Sequence, residues 1–215
     1  LLQIGGDGDY PRQVATEIVM NTIFTIGHSN HAWEDFLNLL QTHGVSALAD
    51  VRSQPFSRRF PQFSKANLQA SLAAADIAYV FLGRELGARC EDRSCYANGQ
   101  VDFERVARTE AFQRGLNRVR EGAERFAIAM MCAEKEPLDC HRTILVARHL
   151  HASGSEVVHI LGDGSTEPHA DAQRRLLAQL GIDELDMFRD RDEAVADAYR
   201  QRGRQIAFQP ESEEE

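Results

Sequence analysis

The chain of 215 residues contains no run that approaches the ~18 consecutive apolar side chains of a membrane-spanning helix. It has no long block of lysine and arginine, which argues against tight non-specific binding to duplex nucleic acid. Neither a G-x-G-x-x-G nor a Walker pattern occurs, so no dinucleotide or nucleoside-triphosphate site follows from a glycine-rich loop. No internal repeat is found. The stretch Leu1 to Val19 carries Asp7, Asp9 and Glu17 and lacks a basic region followed by an apolar core, so it does not read as a signal peptide. Cysteine is scarce: Cys90, Cys95, Cys132 and Cys140 are all there is, in a chain too long and too apolar to be a disulfide-stapled mini-domain.

What is present is ordinary for a globular protein, with 43% hydrophobic and 27% charged residues. A chain of this length can bury a core without disulfides or a structural metal. The formal net charge is −9, to which Glu211, Glu213, Glu214 and Glu215 contribute at the very end. We expect a flexible leader over residues 1–20, a single α/β domain over 21–208 and an acidic disordered tail over 209–215. The expected setting is the cytoplasm, with thiols reduced.

From Thr22 onward short β-branched runs alternate with helical periodicity. Thr22–Ile26 reads as a buried strand closed by Gly27, and Trp33, Phe36, Leu37 and Leu40 form one face of a helix. Val45–Val51, Ile77–Leu82, Phe126–Met131 and Val157–Leu161 read as further strands, Phe126–Met131 apolar throughout and so central. Ser64, Asp102 and Thr109 are placed to cap helices. A helix is expected from about Cys140 to Ala152, another opened by Thr166 and Pro168, and a last one through Val195, Ala198 and Tyr199. Gly83 to Gln100 reads as irregular. The alternation predicts a doubly wound, Rossmann-like, mainly parallel sheet of about five strands with helices on both faces.

In open parallel sheets ligands sit beyond the C-terminal ends of the strands. The segments that follow the strands here are Gly27-His28-Ser29-Asn30, Asp50-Val51-Arg52-Ser53, Gly83-Arg84-Glu85-Leu86-Gly87, and Cys132-Ala133-Glu134 leading to Cys140-His141-Arg142. Gly162-Asp163-Gly164, after the last strand, reads as a turn. Polar groups thus converge on one edge from several strands. These same segments, Thr25-Ile-Gly-His-Ser29, Asp50-Val-Arg52, Leu82-Gly83 with Glu85-Leu-Gly87, and Cys132-Ala-Glu134 with Cys140-His-Arg142, resemble the domain-of-unknown-function 488 family from about Thr22 to Gly181. The resemblance implies a fold and a set of signature residues, not a reaction.

Cys140, at a helix N-terminus beside His141 and Arg142, is placed to be a thiolate: a nucleophile, a redox centre or a metal ligand. Cys132 could resolve it in a disulfide or share a metal with it, with His28 or His141 as further ligands to Zn or Fe. Cys90 and Cys95 could complete a set of four thiolates. Glu134 is a candidate general acid or base, or the partner of Arg52 or Arg142 in a salt bridge. His141 would be an auxiliary proton carrier. Asp50 and Arg52 fall on the same side of their strand, as an internal ion pair or as substrate-positioning groups. Arg58 and Arg59, between Phe56 and Phe60, suit a flat anionic ligand. Backbone N–H groups at Gly27–Ser29 offer themselves to a phosphate, together with Arg52 and Arg142. His31, His43, His149, His151, His159 and His169 show no ligand spacing and read as structural or surface residues.

The leading expectation is an enzyme acting on a phosphorylated or nucleotide-like substrate through Cys140, Glu134, His141 and Cys132. In that reading His28, Ser29, Asp50, Arg52, Arg142 and Arg58 hold the ligand. The alternatives are a Zn or Fe protein, or a non-catalytic nucleotide or nucleic-acid binding module. The negative net charge disfavours long nucleic-acid partners. No membrane partner is expected.

Overall fold

The structure is a computed structural model that describes residues 22–183 and 190–210. The expected leader, and residues 211–215 of the expected tail, lie outside the described residues.

A six-stranded sheet is built from β1 (Thr22–Gly27), β2 (Ala47–Asp50), β3 (Ala78–Phe81), β6 (Ile128–Cys132), β7 (Glu156–Ile160) and β8 (Thr166–Pro168), in the order β3-β2-β6-β1-β7-β8. All pairings are parallel except β7 with β8. The expected α/β class therefore holds, with one strand more than foreseen. Thr166 and Pro168 belong to this antiparallel edge strand and do not open a helix; the helix starts one residue later. Proline is tolerated there because an edge strand needs no ladder donor at that position. The Gly162–Gly164 turn joins the two strands.

β6 lies between β2 and β1, and its residues Ile128 to Cys132 are all buried. Its side chains alternate between two cores, as a strand covered on both faces requires. Ile128, Met130 and Cys132 join one core, and Ala129 and Met131 the other. The second core is closed by α1 (Trp33–Thr42) and α2 (Lys65–Ala73), through Phe36, Leu39, Leu40, Leu68 and Leu72. The first is closed by α3 (Gly83–Leu86), α4 (Phe103–Ala107), α5 (Glu110–Ala123), α6 (Arg148–Ala152), α7 (His169–Gln179) and α8 (Arg191–Ile206).

Local signals explain most element starts. The Asp102 carboxylate accepts from the backbone N–H groups of Glu104 and Arg105, and the Thr109 hydroxyl accepts from that of Phe112. Ser64 precedes α2 but makes no side-chain cap; its hydroxyl is engaged with Ser57. The expected irregular stretch is more ordered than its composition suggested. It holds α3 and a small hairpin of β4 (Tyr96–Ala97) and β5 (Gln100–Val101), turned by Asn98 and Gly99 with φ of 52° and 76°. The helix expected from Cys140 begins at His141, but residues Arg142–Ala147 are π-helical before the chain tightens into α6.

Candidate functional site

The site lies where β1, β2 and β6 end, around a cavity of about 820 Å³. Two glycines let the backbone close in beneath it. A Cβ on Gly27, the last residue of β1, would stand 1.9 Å from the Glu134 carbonyl oxygen, and one on Gly83 would stand 1.9 Å from that of Arg52. The His28 and Ser29 N–H groups donate to the Cys132 and Ala133 carbonyls at 2.9 Å each. They extend the β1–β6 ladder past the sheet and are not free for a phosphate, which corrects the expectation for the Gly27–Ser29 turn.

Cys132, Glu134, Cys140 and His141 come together. One ligand atom from each lies within 4.8 Å of all the others. Both sulfurs approach the same carboxylate oxygen, Glu134 Oε2, at 3.0 Å from Cys132 and 2.9 Å from Cys140. His141 Nδ1 stands 3.5 Å from the Cys132 sulfur and 4.0 Å from the Cys140 sulfur. The other ring nitrogen, Nε2, is 3.0 Å from the Val51 carbonyl oxygen. A carbonyl can only accept, so Nε2 carries a hydrogen, and Nδ1 faces the two sulfurs: as a lone pair in the neutral ring, as an N–H donor in the charged one. Both nitrogens are engaged, Nε2 with the Val51 carbonyl and Nδ1 with the sulfurs, and His141 lines the cavity.

Electrostatics separate the two thiols. Burial opposes ionisation of Cys140, but hydrogen bonding from Cys132, the Arg142 guanidinium and His141 outweigh it and hold this thiol well below its ordinary range. Burial and the neighbouring Cys140 push Cys132 up. The pair therefore holds its first negative charge on Cys140. Burial and the Cys140 sulfur raise Glu134. Burial works against a charged His141, yet the Cys140 sulfur and Glu134 raise it.

The four atoms suit a metal. With metal–sulfur bonds of about 2.3 Å and metal–nitrogen or metal–oxygen bonds near 2.1 Å, a tetrahedral sulfur and its nitrogen or oxygen neighbour stand about 3.6 Å apart. The sulfur–nitrogen separations of 3.5 and 4.0 Å bracket that value. The sulfur–oxygen separations of 2.9 and 3.0 Å ask Oε2 to retreat by roughly half an ångström. The Val51 carbonyl already supplies the outer hydrogen bond that a ligating histidine needs. His28 and the pair Cys90 and Cys95 are not in this group, although they were candidates from sequence. The His28 ring stacks on Phe63 with 4.4 Å between centroids, and its Nδ1 bonds the Ser29 carbonyl at 3.0 Å. Burial, with help from Arg52, depresses it to about 4.

Asp50 and Arg52 form a bidentate buried ion pair, with Nε to Oδ1 at 2.9 Å and Nη2 to Oδ2 at 2.6 Å. Tyr79 donates to the same carboxylate at 2.9 Å, and Nη2 also reaches the Phe63 carbonyl at 2.8 Å. Asp50 is thus fully taken up inside the protein and does not touch the cavity, whereas Arg52 lines it. Arg142, expected to hold an anion, is completely buried. It donates to the carbonyls of Glu134 at 2.7 Å and Lys135 at 3.2 Å; it shapes the Cys132–Cys140 connection and makes no salt bridge to Glu134. Arg58 is not among the residues that line the cavity, to which Arg59, Phe56 and Phe60 contribute instead. Sequence reasoning missed Arg89, Lys135 and Phe208, which also line it. They lie outside periodic segments, so no pattern marked them.

Fold and site together define a parallel α/β protein with a thiol–carboxylate–imidazole cluster at its strand ends. Residues 32–149 match the family described as "Domain of unknown function DUF488". That match takes in more than half of the chain, including the Asp50–Arg52 and Cys132–Arg142 segments, and the chain belongs to this family. No curated protein and no solved structure matches it.

Proposed function

We propose that the protein is a metal-dependent enzyme whose Zn or Fe is held by Cys132, Cys140 and His141, with Glu134 as the exchangeable fourth group. The observation that carries this reading is the four-donor cluster, with His141 Nε2 held by the Val51 carbonyl so that Nδ1 faces the two sulfurs. Three of the four residues are buried and Glu134 alone is exposed. Three inner ligands and one position open to a cavity are the arrangement of a catalytic site; a structural site closes all four. A metal bound there would acidify a water or polarise a carbonyl. Glu134, raised and at the cavity wall, is placed to take the proton from an attacking water. The four free cysteines accord with a reducing, cytoplasmic setting.

The test is elemental analysis of protein purified anaerobically without an affinity metal. About one Zn or Fe per chain is expected, lost in Cys132→Ser and Cys140→Ser while circular dichroism stays unchanged. Zinc would direct the search to hydrolysis and iron to redox chemistry. A metal-free protein would overturn the reading. It would leave Cys140 as a thiolate nucleophile beside Cys132, to be followed through the pH dependence of its alkylation.

A further inference from the structure

The guanidinium of Arg52 is incompletely partnered. Its Nε and Nη2 are taken by Asp50 and Phe63, while Nη1, in a side chain only 5% exposed, has no hydrogen-bond partner. A buried cationic donor without an acceptor is costly, and Arg52 lies in the wall of the cavity that reaches the thiol cluster. Three more cations, Arg59, Arg89 and Lys135, line the same wall, and none of them forms an ion pair among the described residues. The acids there are otherwise engaged: Glu134 faces the two thiols, and Asp139 pairs with Arg202 at 3.3 Å. In a chain of net charge −9 this is a local concentration of unpaired positive charge, suited to an anion.

The same wall also offers ring surface. Phe56 is 69% exposed, with nothing described packing over it in an aromatic pair. Phe60 and Phe208 carry the guanidinium groups of Arg59 and Arg89 over their rings, at 5.4 and 4.2 Å. The volume of about 820 Å³ holds a ligand larger than a bare phosphate. We propose that the cavity binds a nucleoside phosphate, its phosphate on Arg89 and Lys135 beside the Arg52 guanidinium, and its base against Phe56. This rests on the proposed function only in taking the cluster as the place where the bound molecule reacts; binding itself needs no metal.

The experiment is titration of the full chain with nucleoside monophosphates, the matching nucleosides and inorganic phosphate. The nucleotide should bind at least about tenfold more tightly than either fragment, and Phe56→Ala and Arg89→Ala should each weaken it about tenfold. Both residues are exposed, so neither change endangers the fold; Arg52→Lys, which is buried, is read only alongside them. A 5′-phosphorylated single-stranded oligonucleotide is the second arm. If it binds with the same dependence on Phe56 and Arg89 but more tightly, the site takes a strand end; if the mononucleotide binds more tightly, it takes a free nucleotide. Nucleotide affinity no better than that of phosphate, or indifferent to Phe56→Ala and Arg89→Ala, overturns the proposal. The titration is repeated on Cys140→Ser. Binding retained there, with metal absent, separates a failure of the metal reading from a failure of this one.

Discussion

At the scale of single residues, Asp50 shows how this protein places its charges. The carboxylate is fully buried, yet it accepts from Arg52 Nε and Nη2, from the Arg52 backbone N–H at 3.2 Å and from the Tyr79 hydroxyl. Removing the charge in Asp50→Asn leaves Arg52 as a buried cation without its counter-ion and should destabilise the fold by about 3–5 kcal/mol. Tyr79→Phe removes one hydrogen bond and leaves the ion pair, so it should cost about 1 kcal/mol. Urea denaturation of both variants checks the ranking; equal costs would mean that the pair does not hold the loop. Strand alternation alone put Asp50 and Arg52 on one side, so this part of the site was legible. The direction of the His141 ring was not, because it depends on the Val51 carbonyl ninety residues away in sequence. The choice of Arg59 over Arg58 was equally hidden, since a loop without period gives adjacent side chains no preferred face.

At the scale of elements, what could be read was whatever repeats. Parallel strands, helix faces and the Asp102 and Thr109 caps follow from periodicity and from residue types with known positions. The missed pieces are short. Asn98-Gly99 is the turn signature of a two-residue hairpin, but its strands β4 and β5 have two residues each, too few to show alternation. The π-helical segment after Cys140 carries no distinguishing composition. Glycines at two of these junctions should respond differently to one methyl group. A Cβ at Gly99 meets nothing within 4 Å, so Gly99→Ala carries only the conformational cost of its positive φ, about 1 kcal/mol. Gly27→Ala has no room against the Glu134 carbonyl; the strand ends must part, at more than about 3 kcal/mol, and metal content should fall with stability. Denaturation curves and metal analysis on the two variants separate these effects. Comparable losses in both would show that the close approach at Gly27 is not needed.

At the scale of the whole molecule, four elements are joined by a buried hydrogen-bonded chain that sequence spacing concealed. Thr25 on β1 lies 2.7 Å from His159 Nδ1 on β7. His159 Nε2 lies 3.0 Å from His169 Nδ1 at the start of α7, and His169 Nε2 lies 2.9 Å from the Tyr199 hydroxyl on α8. His159 and His169 were read as structural or surface residues, and this chain places both inside the structure. The facing nitrogens of His159 and His169 can hold only one hydrogen between them, so charging both rings would set two donors face to face. Burial depresses His169 to about 3, assisted by the charge of His151, and burial with His169 depresses His159 well below its ordinary value. His28, at about 4, behaves likewise. Unfolding releases all three to an ordinary histidine value near 6.5. Below that pH the unfolded chain therefore binds more protons than the folded one, and stability falls as pH falls from about 6.5 towards 4. Each histidine contributes about 1.4 kcal/mol per pH unit where the difference is complete. Glu134 and His141, both raised in the fold, act in the opposite sense. A steep loss of denaturation midpoint between pH 6.5 and 4.5 is expected, with a smaller slope in His169→Gln, which keeps a hydrogen bond to Tyr199 but cannot be protonated. A midpoint that stays flat over this range, or a slope that His169→Gln does not reduce, would show that the chain does not couple protonation to folding.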